Sequence, residues 1–277
     1  MNGRPEDPGT LETPLYVANE GTAPLVISMP HSGTHLPPEI AARIAASARD
    51  LPDTDWFIPD LYAFHERLGA SVLRATHSRY VVDLNRPPDG ARLYPGKRET
   101  SVCPTETFDG EPLYTAGDEP SAAQIEARLE RYWRPFHERL RRMIDRQLAR
   151  HGHCLLWDAH SIRSTVPALF EGRLPDLNVG TADGRSCTDD TARRIASRLG
   201  AQHRFSFVVN GRFKGGYITR HYGAPADGVD VVQMEIAQSA YLRETRVPRF
   251  ESVLAAPLAE FLQELLGAAA QIPAYQA

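Results

Sequence analysis

Short apolar runs alternate along the chain with segments whose hydrophobic residues recur every three or four positions. The runs predict strands that are buried on both faces, and the three-to-four spacing predicts amphipathic helices. The predicted strands are 25–29, 71–74, 80–84, 154–157, 205–209 and 229–236. The predicted helices are 38–49, 57–68, 121–148, 188–199 and 249–269. This alternation favours an α/β fold, with a mainly parallel or mixed sheet flanked by helices on both faces.

Local signals refine two of these segments. Ser121 and Gln124 fit a capping box, so the helix 121–148 should begin directly after Ser121. Pro135 lies inside that helix and should kink it or split it in two, because proline cannot donate a backbone hydrogen bond. Residues 86–120 are rich in Pro, Gly, Asp and Thr and predict a long ordered loop, a kind of segment that is usually functional.

The length and composition are those of a globular protein. The chain has 277 residues, of which 42% are hydrophobic and 24% charged, so it can bury a full core. We expect one catalytic domain over residues 1–277, with a flexible N-terminal segment at 1–13. The first residues lack a basic start followed by an apolar stretch, and we see no apolar run of about 20 residues. A cytoplasmic protein without a membrane partner is therefore expected.

The net charge and the cysteines exclude further classes. The formal charge of −4 argues against a nucleic-acid-binding protein, which would carry a basic excess. Three widely spaced cysteines without a CxxC pair are typical of reduced thiols rather than of a disulfide framework.

Three predicted strands carry residues suited to metal chemistry. His31 follows the first strand, His160 follows the strand 154–157, and Glu235 lies in the strand 229–236. Because ligands of open α/β sheets bind beyond the carboxyl ends of the strands, these side chains are expected to meet. Two histidines and a carboxylate with an open position are typical of a catalytic Zn²⁺ site. A single histidine at a strand end is more often structural, and Glu235 alone could be an ion-paired strand carboxylate.

Arginines near the strand 80–84 suit an anionic substrate. Arg79 and Arg86 flank this segment, and Asn85 directly precedes Arg86. A guanidinium can bind a carboxylate in a bidentate manner, so this stretch is a candidate carboxylate site. The alternative is a surface arginine paired with Asp83.

A glycine pair precedes a second polar stretch, Tyr217 to His221. The paired glycines indicate a turn or a close approach of the backbone, but the chain holds no phosphate-binding GxxxxGK[ST] or GxGxxG motif. Tyr217 and Arg220 are candidates for lining a polar pocket, with Arg220 as a second carboxylate binder. A solvent-exposed hairpin is the alternative.

The ordered motifs of the chain resemble those of the N-formylglutamate amidohydrolase family. The resemblance covers about residues 14–245 and rests on PHSG (30–33), DTDW (53–56), SRYVVDLNRPPDG (78–90), LYPG (93–96), CPTETFDGEPLY (103–114), DAHSIRS (158–164), LPDLNVGT (174–181), GGYITRHYG (215–223) and QMEIAQSAY (233–241). That family looks related to zinc carboxypeptidases and aspartoacylase-type deacylases, which implies a zinc-carboxypeptidase-like (phosphorylase/hydrolase-like) fold.

The resemblance also implies a divalent metal, with Zn²⁺ expected, and ligands for it. In the related enzymes an HxxE motif and a later histidine bind the metal; His31 and His160 match the two histidines. Thr34 stands where the glutamate of HxxE would be, so the third ligand must come from elsewhere. Asp55 is the predicted third ligand and Asp53 the alternative.

The implied reaction is the hydrolysis of N-formyl-L-glutamate to formate and L-glutamate in histidine degradation. The roles implied for the residues are general base for Glu235, oxyanion stabilisation for Arg79, and substrate binding for Asn85, Arg86, Arg220 and Tyr217. The expected partner is thus a small dicarboxylate.

Other functions remain open from the sequence. One alternative is a deacylase of another N-acyl acidic amino acid, with an acetyl or succinyl group. Another is a non-catalytic small-molecule binder on the same fold. A metal-free hydrolase with Ser32 or Ser161 as nucleophile is disfavoured, because no GxSxG motif surrounds either serine.

Overall fold

A seven-stranded mixed sheet forms the centre of the protein in a computed structural model that describes residues 13–93, 96, 98–246 and 248–271. The strands are β1 (Tyr16–Asn19), β2 (Leu25–Met29), β3 (Ser71–Ala75), β4 (Cys154–Ile162), β5 (Leu177–Gly180), β6 (Phe207–Val209) and β7 (Val229–Ala237). Their order is β1-β3-β2-β4-β7-β5-β6. The four central strands β3, β2, β4 and β7 are mutually parallel, while β1 and β5 pair antiparallel with β3 and β7. The predicted α/β class with a mixed sheet is confirmed.

Helices cover both faces of the sheet. They are α1 (Pro38–Ala41), α2 (Ile58–Leu61), α3 (Ala122–Arg128), α4 (Arg134–His151), α5 (Asp189–Ala201), α6 (Tyr217–Tyr222) and α7 (Ser252–Ala269); a separate ribbon pairs β8 (Leu242–Arg243) with β9 (Arg249–Phe250). Alternate residues of β2 and β4 enter two apolar clusters, one shared with α2, α5 and α7 and the other with α1, α4 and α6. Burial on both faces explains why the central strands are apolar without alternation.

The capping box and the interrupted long helix are confirmed. Ser121 Oγ accepts a hydrogen bond from the Gln124 backbone, and the Gln124 side chain accepts one from the Ser121 backbone. A π-helical turn over Leu129–Trp133 separates α3 from α4, just before Pro135. Since proline has no N–H to donate into the helical ladder, a wider turn at this point accommodates it.

Three predicted elements are wrong in extent or type. Residues 38–49 form only α1 and a 3₁₀ turn at Ala46–Ala48, and residues 57–68 form only α2 and a 3₁₀ turn at Ala63–Glu66. Residues 80–84 form buried turns instead of a strand, with the backbone of Asp83 bonded to the Val102 carbonyl. Their apolar side chains pack against residues 102–114, because hydrophobicity alone does not distinguish a strand from a buried loop.

Helix α7 is the one helix in the described ranges that is long and apolar enough to cross a membrane by length and composition. Its apolar side is occupied in this structure: Leu258, Leu262, Leu265 and Leu266 are fully buried in the core cluster that includes α2 and α5. The predicted flexible segment 1–13 lies, apart from Thr13, outside the described residues. The single domain over 1–277 stays a prediction.

Candidate active site

The carboxyl ends of three adjacent parallel strands bring the predicted chemistry together. In the register of the sheet, Ser28 of β2 pairs with Asp158 of β4, and His160 of β4 pairs with Glu235 of β7. His31 follows β2 by two residues and so reaches the same level. The strand β4 is longer than predicted and contains His160, which fixes the backbone of this residue in the centre of the sheet.

A short loop adds Asp55 to this edge. The Asp55 backbone donates to the His31 carbonyl at 3.0 Å, which ties the loop directly to the residue that follows β2. Two contacts from the segment after β7 hold the same loop: Gln238 Nε2 donates to the Thr54 carbonyl and Tyr241 Oη donates to the Trp56 carbonyl. The position of Asp55 therefore depends on contacts with residues that are distant in sequence.

His31, Asp55 and His160 form a buried group that could hold a metal ion. One ligand atom from each lies within 4.8 Å of the others, and no side chain of the three is more than 4% exposed. Asp55 Oδ2 lies 3.0 Å from His160 Nδ1 and 3.8 Å from His31 Nδ1. The two Nδ1 atoms and the carboxylate converge on one point, as three protein ligands of a catalytic metal do.

Each histidine has a buried carboxylate behind it. His31 Nε2 lies 2.7 Å from Asp83 Oδ1, and His160 Nε2 lies 3.0 Å from Asp158 Oδ2. A carboxylate that accepts the Nε2–H leaves the Nδ1 lone pair for a metal and fixes the orientation of the ring. Sequence reasoning gave neither aspartate this role. A signal existed for Asp158, because residues two apart in a strand share a face and Asp158 precedes His160 by two.

The charges around the two histidines set the protonation of each ring before a metal binds. Burial alone would lower the pKa of His160, but Asp158 and Asp55 hold it well above its ordinary value, so a metal that binds there must displace a proton. Burial, reinforced by the charge of Arg79, holds the pKa of His31 below its ordinary value, although Asp83 opposes this shift. Burial alone would raise the pKa of Asp83, but the Arg79 guanidinium at 2.6 Å, with His31, holds it well below its ordinary value. At neutral pH His31 is therefore neutral and Asp83 ionised, which is the state that ligation requires. The donor set fits a divalent metal.

Asp53, the alternative ligand, faces a different set of partners. Its carboxylate accepts hydrogen bonds from Tyr80 Oη at 2.8 Å and from the Phe108 backbone at 2.9 Å. It lies outside the His31–Asp55–His160 group and connects the loop that carries Asp55 to Tyr80 and Phe108.

Glu235 is the carboxylate beside this group. It is 7% exposed, and burial raises its pKa above the ordinary value, with His160 the largest opposing influence. Gln233 Nε2 lies 3.3 Å from Glu235 Oε2, and Gln233 Oε1 accepts from the Gly216 backbone. A buried carboxyl with a raised pKa is suited to accept and return a proton near neutral pH.

The group opens into a small cavity at this edge of the sheet. Arg79, Asn85, Arg86 and Glu235 line it, as the sequence predicts for a shared site. Asn85 Nδ2 donates to Asp158 Oδ2 at 3.1 Å and Asn85 Oδ1 accepts from the Ile218 backbone, so this amide supports the site internally. Arg86 is half-buried, and its guanidinium donates to the Thr100 and Asn85 carbonyls.

Tyr217 and Arg220 lie outside the lining of this cavity. Tyr217 packs in an aromatic cluster with Trp133, His137 and His221. Arg220 Nε donates to the Gly215 carbonyl at 3.0 Å. The segment forms the short helix α6 instead of a hairpin.

The backbone at the glycine pair closely approaches the Asn85 side chain, as predicted for paired glycines. A Cβ on Gly216 would lie 2.5 Å from Asn85 Nδ2, so only glycine lets the start of α6 pack on this amide. Gly215 has a φ of +114°, which disfavours any side chain there.

Other lining residues were missed by sequence reasoning. They come from three loops and include Arg98, Phe108, Leu169, Arg212 and Phe213. Phe108 lies in the motif 103–114, but no motif contains the other four, since arginine is common along the whole chain and each loop is placed by tertiary contacts.

Comparisons with known proteins agree with this geometry. The N-formylglutamate amidohydrolase family model matches residues 23–242. The chain is 48% identical over 250 residues to N-formylglutamate deformylase of Pseudomonas putida, covering 90% of this chain and 93% of that protein. It is 49% identical over 246 residues to the protein of the same name from Pseudomonas aeruginosa, covering 89% and 92%.

Two crystal structures share the fold. N-formylglutamate amidohydrolase from Ralstonia eutropha superposes with a TM-score of 0.78 at 22% identity, covering 92% of this chain and 97% of that one. A gene product of Agrobacterium tumefaciens gives a TM-score of 0.69 at 18% identity, covering 93% and 95%. Together with the match to the family model and the two close relatives, this places the chain firmly: it belongs to the N-formylglutamate amidohydrolase family.

Proposed function

We propose that this protein hydrolyses the amide bond of N-formylglutamate, producing formate and glutamate, with a divalent metal held by His31, Asp55 and His160. The observation that carries the proposal is the buried His–Asp–His group with Glu235 beside it, at the base of an arginine-lined cavity. The names of the two Pseudomonas relatives support this substrate.

The ligand set favours Zn²⁺, because two imidazole nitrogens and one carboxylate are its usual catalytic ligands. When bound, the metal would polarise the formyl carbonyl and make a water molecule more acidic. Asp83 and Asp158 would hold the two histidines in the orientation that ligation needs, through the contacts at 2.7 and 3.0 Å.

Glu235 is the proposed general base. It accepts a proton from the attacking water as the new carbon–oxygen bond forms, and its burial keeps competing water away. It then returns that proton to the amide nitrogen as the carbon–nitrogen bond breaks. The products are formate and glutamate with a free amino group.

Arg79 and Arg86 are proposed to act on the charges of the substrate. Arg79 lines the cavity and is anchored by Asp83, so its remaining N–H groups can stabilise the oxyanion that develops on the formyl oxygen. Arg86 is proposed to bind the α-carboxylate, while Asn85 positions the segment that carries it. A place in histidine degradation and a cytoplasmic location remain part of this proposal.

Formate release tests the proposal directly. The purified protein is assayed with N-formyl-L-glutamate before chelation, after chelation with metal content measured, and after Zn²⁺ is added back. We expect activity to disappear with the metal and to return with it. Turnover by verified metal-free protein would refute the metal mechanism.

The choice of acyl group is tested with N-acetyl- and N-succinyl-L-glutamate in the same assay. We expect the formyl compound to have the highest kcat/KM. Faster release of acetate or succinate would identify the protein as a deacylase of that other class.

A further inference from the structure

The cavity contains an arginine that lies outside every motif considered so far. Arg212 lines the cavity together with Arg86 and Arg98, and it belongs to the loop between β6 and α6. Like Arg86 it is half-buried, whereas the groups at the base of the cavity are almost fully buried. Arg212 is therefore closer to solvent than His160 and Glu235, which line the same cavity.

The Arg212 side chain is held in place by backbone carbonyls of two other loops. Its Nε donates to the Leu169 carbonyl at 2.9 Å, and its Nη2 lies 3.4 Å from the Arg98 carbonyl. Its guanidinium also lies 5.3 Å from the centroid of the Phe213 ring. These contacts orient the guanidinium on the cavity wall, where Arg212 is one of the lining residues.

The substrate needs two carboxylate receptors at different distances from the reacting carbon. In N-formylglutamate the α-carboxylate lies three bonds from the formyl carbon, and the side-chain carboxylate lies five bonds away. The Arg86 guanidinium donates to the carbonyl of Asn85, whose amide contacts Asp158 behind His160, so we assign the α-carboxylate to Arg86. Arg212 stands on a separate loop, with Leu169 and Phe213 beside it to contact the methylene groups.

On this geometry, and resting on the proposed hydrolysis of N-formylglutamate, we propose that Arg212 binds the side-chain carboxylate of the substrate and sets the selectivity for an acidic amino acid. Arg220, which the sequence points to for this carboxylate, donates to the Gly215 carbonyl and lies outside the lining of the cavity. The two arginines therefore give opposite expectations in one experiment.

The experiment compares N-formyl-L-glutamate with N-formyl-L-glutamine, whose side chain has the same shape and no charge. For Arg212→Gln we expect kcat/KM to fall roughly 30-fold on the glutamate compound, since hydrogen bonds between charged groups are worth about a factor of 10 to 100. On the glutamine compound we expect a change within about threefold, so the preference for the acid is lost. The kcat/KM of Arg212→Lys on the glutamate compound should lie between those of the wild type and Arg212→Gln, because lysine keeps the charge without the bidentate geometry.

The matched control is Arg98→Gln, an arginine on the same wall whose guanidinium is paired with Glu106. It should leave the ratio of the two kcat/KM values unchanged. Equal losses of Arg212→Gln on both substrates would reduce Arg212 to a structural role and overturn the inference. Loss of the ratio in Arg220→Gln, with the ratio kept in Arg212→Gln, would also overturn it.

A binding measurement separates this inference from the proposed function. Failure of the wild-type protein to release formate from N-formyl-L-glutamate refutes the proposed function. Calorimetry with L-glutamate and L-glutamine on the wild-type protein and on Arg212→Gln then still decides the inference. We expect the wild type to prefer glutamate and the variant to lose that preference; equal binding of both amino acids by the wild type would overturn the inference.

Discussion

Asp83 holds two neighbours at once, the Arg79 guanidinium and the His31 ring, and its replacement should affect stability and metal binding separately. The side chain is completely buried. Its Oδ1 contacts His31 Nε2 at 2.7 Å and accepts from the Asn85 backbone at 2.9 Å, while its Oδ2 accepts from Arg79 Nη2 at 2.6 Å. Asp83→Asn keeps the volume but removes the negative charge and turns one acceptor into a donor.

The losses of stability and metal affinity expected for Asp83→Asn follow from the contact that each neighbour loses. Arg79 is 5% exposed, and a buried charge that loses its partner costs about 3–5 kcal/mol in the free energy of unfolding. His31 loses the carboxylate that orients its ring, a change that costs about 10- to 100-fold in metal affinity. Asp158→Asn is the matched variant, because Asp158 contacts His160 and Asn85 but, among the described residues, no guanidinium. It should lower metal affinity similarly and lower the free energy of unfolding by only about 1–3 kcal/mol, because Asp55 still faces the His160 ring at 3.0 Å.

Two measurements on the same proteins test this reasoning. Urea denaturation of the metal-free variants at pH 7.5 gives the free energy of unfolding, and competition with a chromophoric chelator gives the Zn²⁺ affinity. We expect Asp83→Asn to be at least about 1–2 kcal/mol less stable than Asp158→Asn. Adding Arg79→Met to Asp83→Asn should recover stability without recovering Zn²⁺ affinity, because it removes the unpaired charge but leaves His31 without its carboxylate.

Two results would refute the reasoning. Equal losses of stability in the two variants would show that Arg79 does not depend on Asp83 for its charge balance. Wild-type Zn²⁺ affinity in both variants would show that the carboxylates do not orient the histidines.

Three further predictions concern the base, acid stability and the glycine contact. Glu235→Gln should lower kcat by about 100- to 10,000-fold with metal content unchanged by atomic emission, and retention of most activity would exclude Glu235 as the base. Burial lowers the pKa of His137 to about 3 from 6.5, so the unfolded chain takes up a proton first as the pH falls below 6.5. Metal-free wild type should therefore lose about 1.4 kcal/mol more than His137→Gln between pH 7.5 and 5.5 in urea denaturation, and identical losses would contradict this. Gly216→Ala should lower the free energy of unfolding by about 1–3 kcal/mol and remove most activity, because its Cβ would meet Asn85. The exposed Gly200 lies within α5, so Gly200→Ala should raise the free energy of unfolding by about 0.5–1 kcal/mol and leave activity unchanged. Equal thermal stability of the two glycine variants would remove the steric argument.

The sequence by itself determined the parts of the fold that depend on local pattern. The apolar runs of β2, β4 and β7 identify buried parallel strands, because a strand covered on both faces needs no polar positions. The capping box at Ser121 and the interruption near Pro135 are equally local, since each depends on hydrogen bonds within one turn. The grouping of His31 with His160 and Glu235 follows from their positions on parallel strands whose carboxyl ends share one edge.

Only the tertiary structure decided which side chains complete the site. Asp55 and Asp53 are two residues apart in one loop, and distant contacts direct Asp55 to the histidines and Asp53 to Tyr80. The buried turns at 80–84 have the composition of a strand, yet a backbone contact with Val102 shapes them and places Asp83 behind His31.

The arginines show the same limit. Arg86, Arg212 and Arg220 have the same chemistry in sequence, and what separates them is the packing of the loops that carry them. Arg212 reaches the cavity because carbonyls of two other loops hold its guanidinium, whereas Arg220 donates to the Gly215 carbonyl and lies outside the lining of the cavity. Local pattern determines which segments form the sheet, but the position of a loop side chain depends on contacts between residues far apart in the chain, which periodicity and spacing do not encode.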